Sequence, residues 1–440
     1  MQRAFTKGSL ADAVARLRPG MKVLLPPACG EPQALVGEIC RQATRLSDLM
    51  LLGGIHLGDY PWARAEHAPL RFGTWHMSPS LDDARRRGRV EFLPIRYFDL
   101  THELVPGGAW APDCVLVHCA PPDARGYVSL GVSVGVTLPA ARRAPLVIAQ
   151  VNPAMPRTLG NAFLHRSQID AWVEVDEPLT PYPPPVVGDV ERAIGRHVAA
   201  LVPDGATVQV GIGAIPQAVL EALVDHRDLA LHSLLVDPSV ALVERGAVTN
   251  ALKRFHRGRM DIAEAMGTRR LFDFVHDNPL VNMDSSAFVH DPETVARLDR
   301  FVAINSALEV DLAGQVTAES LGPRQVAGIG GQFDFVLGAS RSRWRIHGFR
   351  ESWNARLPLL SGLDPLEDLL VRREAVRRLV GVDNLVVDRD LEDTAGAFLQ
   401  AGAEAVLFLD GLLQTGGLRQ VVSLAAVLDL DVHPVLPAEA

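Results

Sequence analysis

The sequence predicts two α/β domains in tandem, each built on a largely parallel sheet and joined near residue 185. Three observations predict this. Apolar runs of strand length alternate with amphipathic helical stretches about every 20–30 residues, which is the rhythm of βα units. A stretch holding five prolines, Pro178-Leu-Thr-Pro-Tyr-Pro-Pro-Pro-Val-Val-Gly188, interrupts that rhythm and reads as a stiff, extended linker. Beyond it the alternation resumes.

Taken in order, the first domain opens with an amphipathic helix over Leu10–Leu17 and a strand over Met21–Leu25. Ala28-Cys-Gly-Glu-Pro-Gln precedes another helix, and Asp48–Gly53 is the next strand, followed by a loop holding His56. Glu91–Ile95, Cys114–Val117 and Pro145–Val151 are further apolar runs. Turn-rich loops follow the last two, at the strand ends where open α/β sheets place ligands. One holds His118 and Asp123; the other is Asn152-Pro-Ala-Met-Pro-Arg157-Thr-Leu-Gly160.

The second domain starts with a helix over Val190–Leu201 and contains the stretch that organises the chain, Gly205–Asp237. Thr207–Val210 is a β-prone run and Gly211-Ile-Gly213 a turn. Pro216 opens a helix whose apolar face is Ile215, Val219, Ala222 and Leu223. A second strand, Leu229–Leu231, ends at His232-Ser233-Leu234. Such a turn gathers backbone N–H groups and a helix N-terminus at one crevice, suited to a phosphate or an oxyanion, although a plain βα connection has the same sequence. Phe301–Gln315 reads as two strands and a turn, and Gly328-Ile-Gly-Gly-Gln-Phe-Asp-Phe335 as a second glycine turn. The remaining segment continues the pattern: helix Pro365–Leu379, strand Asn384–Val387, helix Thr394–Ala401, strand Ala405–Leu409, helix Leu418–Val427 and strand Asp431–Val435.

Composition narrows the function. The 440 residues are 48% hydrophobic and carry a net charge of −9, with no block of like charge. Bulk electrostatics therefore favour neither nucleic acid nor an anionic membrane. No apolar run reaches membrane-spanning length, and MQRAFTKGSL lacks the apolar centre of a signal peptide. Four cysteines (Cys29, Cys40, Cys114 and Cys119) suggest a reducing compartment, and their spacing is not that of a zinc site. The expectation is a cytoplasmic protein without metal, with buried cysteines.

Six ordered pieces between about residues 115 and 340 resemble the acetyl-CoA hydrolase / 4-hydroxybutyrate CoA-transferase family. They are Pro121-Pro-Asp…Gly126-Tyr-Val-Ser-Leu-Gly131, Ile148–Thr158, Asp204–Leu220, Met266-Gly-Thr, Ala303–Val316 and Gly328–Phe335. The resemblance implies two similar open α/β domains facing each other across an acyl-CoA cleft, and a homo-oligomer. It implies a coenzyme A thioester as substrate or ligand and no permanently bound cofactor. An acyl-carrier protein or a second subunit stays open as a partner.

In that family a glutamate in a His-Ser/Thr-Glu-Met sequence attacks the acyl-CoA carbonyl and passes through a glutamyl-CoA thioester. Here the corresponding residues are His232-Ser233-Leu234-Leu235, and the glutamate position falls on Leu234. The family's His and Asp after Pro-Arg-Thr are Leu159 and Asn161, and its threonine-glutamate-tyrosine-glycine stretch near the C-terminus is absent. By the resemblance, Gly211, Gly213 and Ala214 line the oxyanion or pantetheine side of the cleft, and Gly330, Gly331 and Gln332 the opposite wall. Arg157 offers a planar fork to a phosphate or carboxylate, and Arg341, Arg343 and Arg345 surround Trp344 in a run suited to the phosphoadenosine end. The candidates for residual chemistry are His232 as general base, Asp237 beside it, and Ser233 as a nucleophile.

Three functions stay open. One is acyl transfer or hydrolysis without a glutamyl-CoA intermediate. Another is an inactive acyl-thioester-binding or partner subunit. The third is ordinary CoA transfer using a carboxylate from elsewhere.

Overall fold

The computed structural model describes residues 6–57, 61–64, 67, 69–310, 316–342 and the strand segments 406–408 and 424–426. Arg343 and most of the elements expected beyond it lie outside the described residues.

In chain order the strands up to residue 174 are β1 (Thr6–Lys7), β2 (Lys22–Leu24), β3 (Met50–Gly53), β4 (Arg71–Thr74), β5 (Val90–Phe92), β6 (Cys114–Cys119), β7 (Tyr127–Ser129), β8 (Leu146–Val151), β9 (Phe163–His165) and β10 (Ala171–Glu174). Eight of them form a sheet in the order β1-β10-β8-β6-β2-β3-β4-β5, with every pairing parallel. β7 and β9 make a separate antiparallel pair. β6, sequence CVLVHC, is buried at every position, as a parallel strand covered on both faces must be. All four cysteines are buried and none is in a disulfide.

The second sheet is built on β11 (Thr207–Val210), β12 (Ala230–Leu235), β13 (Met260–Ala265), β14 (Val281–Met283) and β15 (Phe301–Ile304). Its order is β14-β13-β12-β11-β15, extended by Leu424–Ala426 and Val406–Phe408. Strand Val406–Phe408 falls within the expected Ala405–Leu409. Leu424–Ala426 instead pairs beside Ile304 where the sequence predicts the end of a helix. Sheet pairing overrides the local helix propensity of Leu-Ala-Ala.

The helices Asp189–Ala199 and Ala214–Ala222 pack closely. Gly195 is where their backbones approach, since a Cβ there would lie 2.6 Å from the Ala218 carbonyl oxygen. Gly195→Ala is expected to destabilise the fold by about 1–3 kcal/mol through overpacking. A chemical-denaturation midpoint equal to wild type would contradict this.

Strand β12 runs four residues further than the sequence suggests, through His232, Ser233 and Leu234 to Leu235. A polar His-Ser pair reads as the start of a turn, yet here both side chains are buried and the backbone stays in the ladder. The register with β13 slips between Ser233 and Leu234, and Ser233 adopts a left-handed φ of 88°. This is a β-bulge, a device that re-aims the following side chains.

The two halves of the chain are joined by main-chain hydrogen bonds. Val134 and Gly135 donate N–H groups to the Ala263 carbonyl, and Ala265 N–H donates to Val132 O. Segment 132–135 thus runs along β13 as an added antiparallel edge. Residues 327–331 lie against the first half as well, with Met77 N–H donating to Ala327 O and Tyr97 N–H to Gly330 O.

Candidate active site

The Gly211-Ile-Gly213 turn leaves the C-terminal end of β11, and Gly213 caps the helix Ala214–Ala222 with a φ of 114° that favours glycine. Pro216 sits in the first helical turn, where its missing N–H leaves no bond unmade. Gly211, Ile212, Gly213 and Gln217 form one side of a shallow cavity that opens to solvent. Asp237, Met266 and the linker residues Tyr182, Pro184 and Pro185 form the rest of its wall.

Asp237 brings a carboxylate to this cavity, but Thr268 N–H donates to both of its oxygens, at 3.0 and 3.2 Å. It starts the helix Asp237–Glu244 and at the same time caps Arg269–Val275. Ala214 begins its helix just behind the turn and does not reach the cavity wall.

His232 faces the protein interior. It is 1% exposed, and its Nε2 donates to the Val289 carbonyl at 2.7 Å. Burial, reinforced by the Lys253 charge, pushes its pKa down to about 4. Below it, Lys253 and Asp261 form a fully buried ion pair, and Asp261 also accepts from His256 Nδ1 and Asn282 Nδ2, at 2.7 and 2.8 Å. The ring packs edge-on to Phe301 and Phe335. As placed, His232 is a neutral core histidine.

The second glycine turn does not line this cavity and packs beside Tyr97 and His290. Gly330 pairs with Arg96, and Gly331 packs where any Cβ would meet the His290 ring at 2.7 Å. Gln332 begins the helix Gln332–Arg341. Arg341, at the far end, donates to Glu293 on an exposed helix surface, 2.6 Å away. Arg157 donates to Asp277 at 2.6 Å, approaches Asp123 at 3.8 Å, and lies over the Phe163 ring. Both arginines already have carboxylate partners. His118 is buried against Asn152 and Gln150, and His56 against Glu31. Among the described residues no cluster of His, Cys, Asp and Glu could hold a metal ion.

One group that sequence reasoning missed stands out: Glu264, near the end of β13. Its Cα is the register partner of Leu234 across the β12–β13 bulge. The carboxyl Oε1 accepts from Tyr97 Oη at 3.1 Å, and Ser133 pairs with Glu264 from the first half of the chain. A Cβ on Gly135 would meet Glu264 Oε1 at 2.6 Å and Ser286 Oγ at 2.8 Å, so the glycine makes room for both. Ser286 Oγ is buried and takes no hydrogen bond. Burial raises the Glu264 carboxyl to about 8, while the Tyr97 hydrogen bond and the nearby Ser133 hydroxyl work the other way. Tyr97, also buried, is pushed well above its usual value and remains a donor. The available signal was a pair of carboxylates, Asp261 and Glu264, inside a short strand, Met-Asp-Ile-Ala-Glu-Ala, buried at every position.

The comparisons with known proteins bear on what this arrangement serves. Residues 2–184 match the acetyl-CoA hydrolase/transferase N-terminal domain and residues 267–345 the C-terminal domain. The chain is 38% identical over 333 residues to the 4-hydroxybutyrate coenzyme A transferase of Clostridium kluyveri, covering 75% of this chain and 77% of that protein. It is 35% identical to the succinyl-CoA:cyclohexane-1-carboxylate CoA transferase of Geobacter metallireducens, covering 76% of each. Among solved structures, RipA from Yersinia pestis superposes with a TM-score of 0.72 at 31% identity, over 76% of this chain and 79% of that one. The 4-hydroxybutyrate CoA-transferase of Porphyromonas gingivalis gives 0.64 at 31% identity, over 76% and 78%. No helix among the described residues is long and apolar enough to cross a membrane. With its tandem parallel sheets and its glycine turn at the end of β11, the chain belongs to the acetyl-CoA hydrolase/transferase family and is an enzyme of that kind.

Proposed function

We propose that this enzyme transfers the acyl group of a coenzyme A thioester directly to an acceptor, or to water, without a glutamyl-CoA intermediate. The observation that carries this is Leu234. It occupies the end of β12 where the resemblance expects the nucleophilic glutamate, and it offers no atom able to attack a carbonyl. Asp237, the carboxylate on the cavity wall, is oriented by the Thr268 N–H, which is shared between its two oxygens. Ser233 sits in the bulge with its side chain buried, and His232 faces the core. The Gly211–Gly213 turn offers backbone N–H groups to a thioester oxyanion, and proximity with oxyanion stabilisation supplies much of a rate even without a covalent step. Three of the related proteins named above are CoA transferases by name, which supports that substrate class.

A second reading is favoured by one observation, the Glu264 carboxyl beside Leu234: ordinary CoA transfer with Glu264 as nucleophile. Incubation with acyl-CoA followed by borohydride separates the two. A glutamyl-CoA thioester would be reduced to an alcohol and change the mass of one peptide. The expected result is free CoA appearing over time, with no reduced glutamate on the protein. Reduction at any glutamate would reject direct transfer.

A further inference from the structure

Glu264 is the one group in this part of the molecule whose placement the family resemblance does not explain. It lies on β13, level with Leu234, and neighbouring strands are about 4.8 Å apart. The first half of the chain builds its surroundings: Tyr97 donates to Oε1, and segment 132–135 bonds to β13 on either side of it. A buried carboxyl costs several kcal/mol unless it is satisfied or neutral, so a fold keeping one between its halves has a use for it. Glu264 is also not sealed, since 9% of the residue remains exposed.

We propose that Glu264 is the acid–base residue of this enzyme and that its acceptor is one that carries a proton, such as water, an alcohol or an amine. This rests on direct acyl transfer. The Glu264 carboxylate takes the proton from the acceptor as the acceptor's lone pair attacks the thioester carbonyl carbon. The tetrahedral intermediate then collapses, the C–S bond breaks, and the departing CoA sulfur takes that proton from Glu264. The products are the acylated acceptor, or the free acid with water, and CoA thiol, and the carboxylate is restored. A carboxylate acceptor brings no proton and gains nothing from such a group. Burial that lifts the carboxyl to about 8 also suits the task, because a thiol titrates near 8.5 and proton transfer between the two is close to balanced. Tyr97, which stays protonated, holds the carboxyl through Oε1 and acts as a positioning residue.

The test follows thiol release from acetyl-CoA and butyryl-CoA by the full-length enzyme, in water and with added ethanol, glycine or acetate. Wild type is expected to release CoA, faster with ethanol or glycine and unchanged with acetate. Glu264→Gln keeps the side-chain shape, and its fold is checked by circular dichroism. It is expected to lose activity by about 100-fold or more and to lose the rise in kcat near pH 8. Tyr97→Phe is expected to move that inflection while sparing KM. No thiol release by wild type would reject the direct-transfer reading itself. An active wild type with an equally active Glu264→Gln would overturn the role of Glu264 alone. Faster turnover with acetate, or borohydride reduction at Glu264, would overturn it too, since the residue would then be a nucleophile.

Discussion

Asp261→Ala is expected to destabilise the protein by about 3–5 kcal/mol, the largest single-residue effect in the described part of the chain. Lys253 and Asp261 are both inaccessible to solvent, and no water can take over either charge. Removing the carboxylate leaves the Lys253 ammonium with the Arg259 carbonyl and the face of the Phe255 ring, and no counter-charge in contact. It also frees donors on His256 and Asn282 that now end on Asp261. Burial opposes both charges, but each holds the other ionised across the contact. The double variant Lys253→Met with Asp261→Val should recover most of the loss, because breaking a buried pair costs far more than replacing it with apolar side chains. Urea denaturation of wild type and the two variants measures this. A single-variant loss below about 1 kcal/mol would show that the pair is hydrated in solution.

The second large effect depends on pH. In the fold, burial raises the Glu264 carboxyl to about 8 from an ordinary 4.5, so the native state keeps a proton that the unfolded chain gives up. Its contribution is fully present below about pH 4.5 and is lost as pH rises through about 8. Wild type should therefore match Glu264→Gln near pH 4.5 and fall below it by on the order of 4 kcal/mol at pH 9. Asp334, lifted to about 7 by burial, tilts both proteins the same way and cancels in the comparison. His76, His118 and His232, lowered to about 4, and His290, lowered to about 3, act oppositely. They remain neutral in the fold and withdraw stability from both proteins as pH drops below about 6.5. A stability gap between wild type and Glu264→Gln that does not change with pH would mean that Glu264 is ionised in the native state.

Much of the scaffold was legible because parallel strands announce themselves as continuous apolar runs: Cys114–Val117 and Pro145–Val151 both overlap strands of the first sheet. The glycine turn after Thr207–Val210 was legible too, since its backbone needs a residue without Cβ. The end of β12 was not. A bulge with a left-handed serine has no distinctive composition, and a buried His-Ser pair looks like a turn. Glu264 went unnoticed for a different reason. Its meaning lies in which residues face it, Tyr97 and Ser133 from more than a hundred residues upstream, and no local pattern reports such a meeting. The arginines show the reverse failure. Arg157 and Arg341 suit anions by chemistry, but acidic neighbours distant in sequence had already taken them.

The strip of main chain that segment 132–135 lays along β13 has a consequence for ancestry. A gene recombined at the proline-rich junction would inherit its acid from one parent and the housing of that acid from the other. Such hybrids would keep two sound sheets yet mismatch where a glycine must leave space for a carboxyl. A change at position 264 is therefore expected to need a fitting change at 97, 133 or 135.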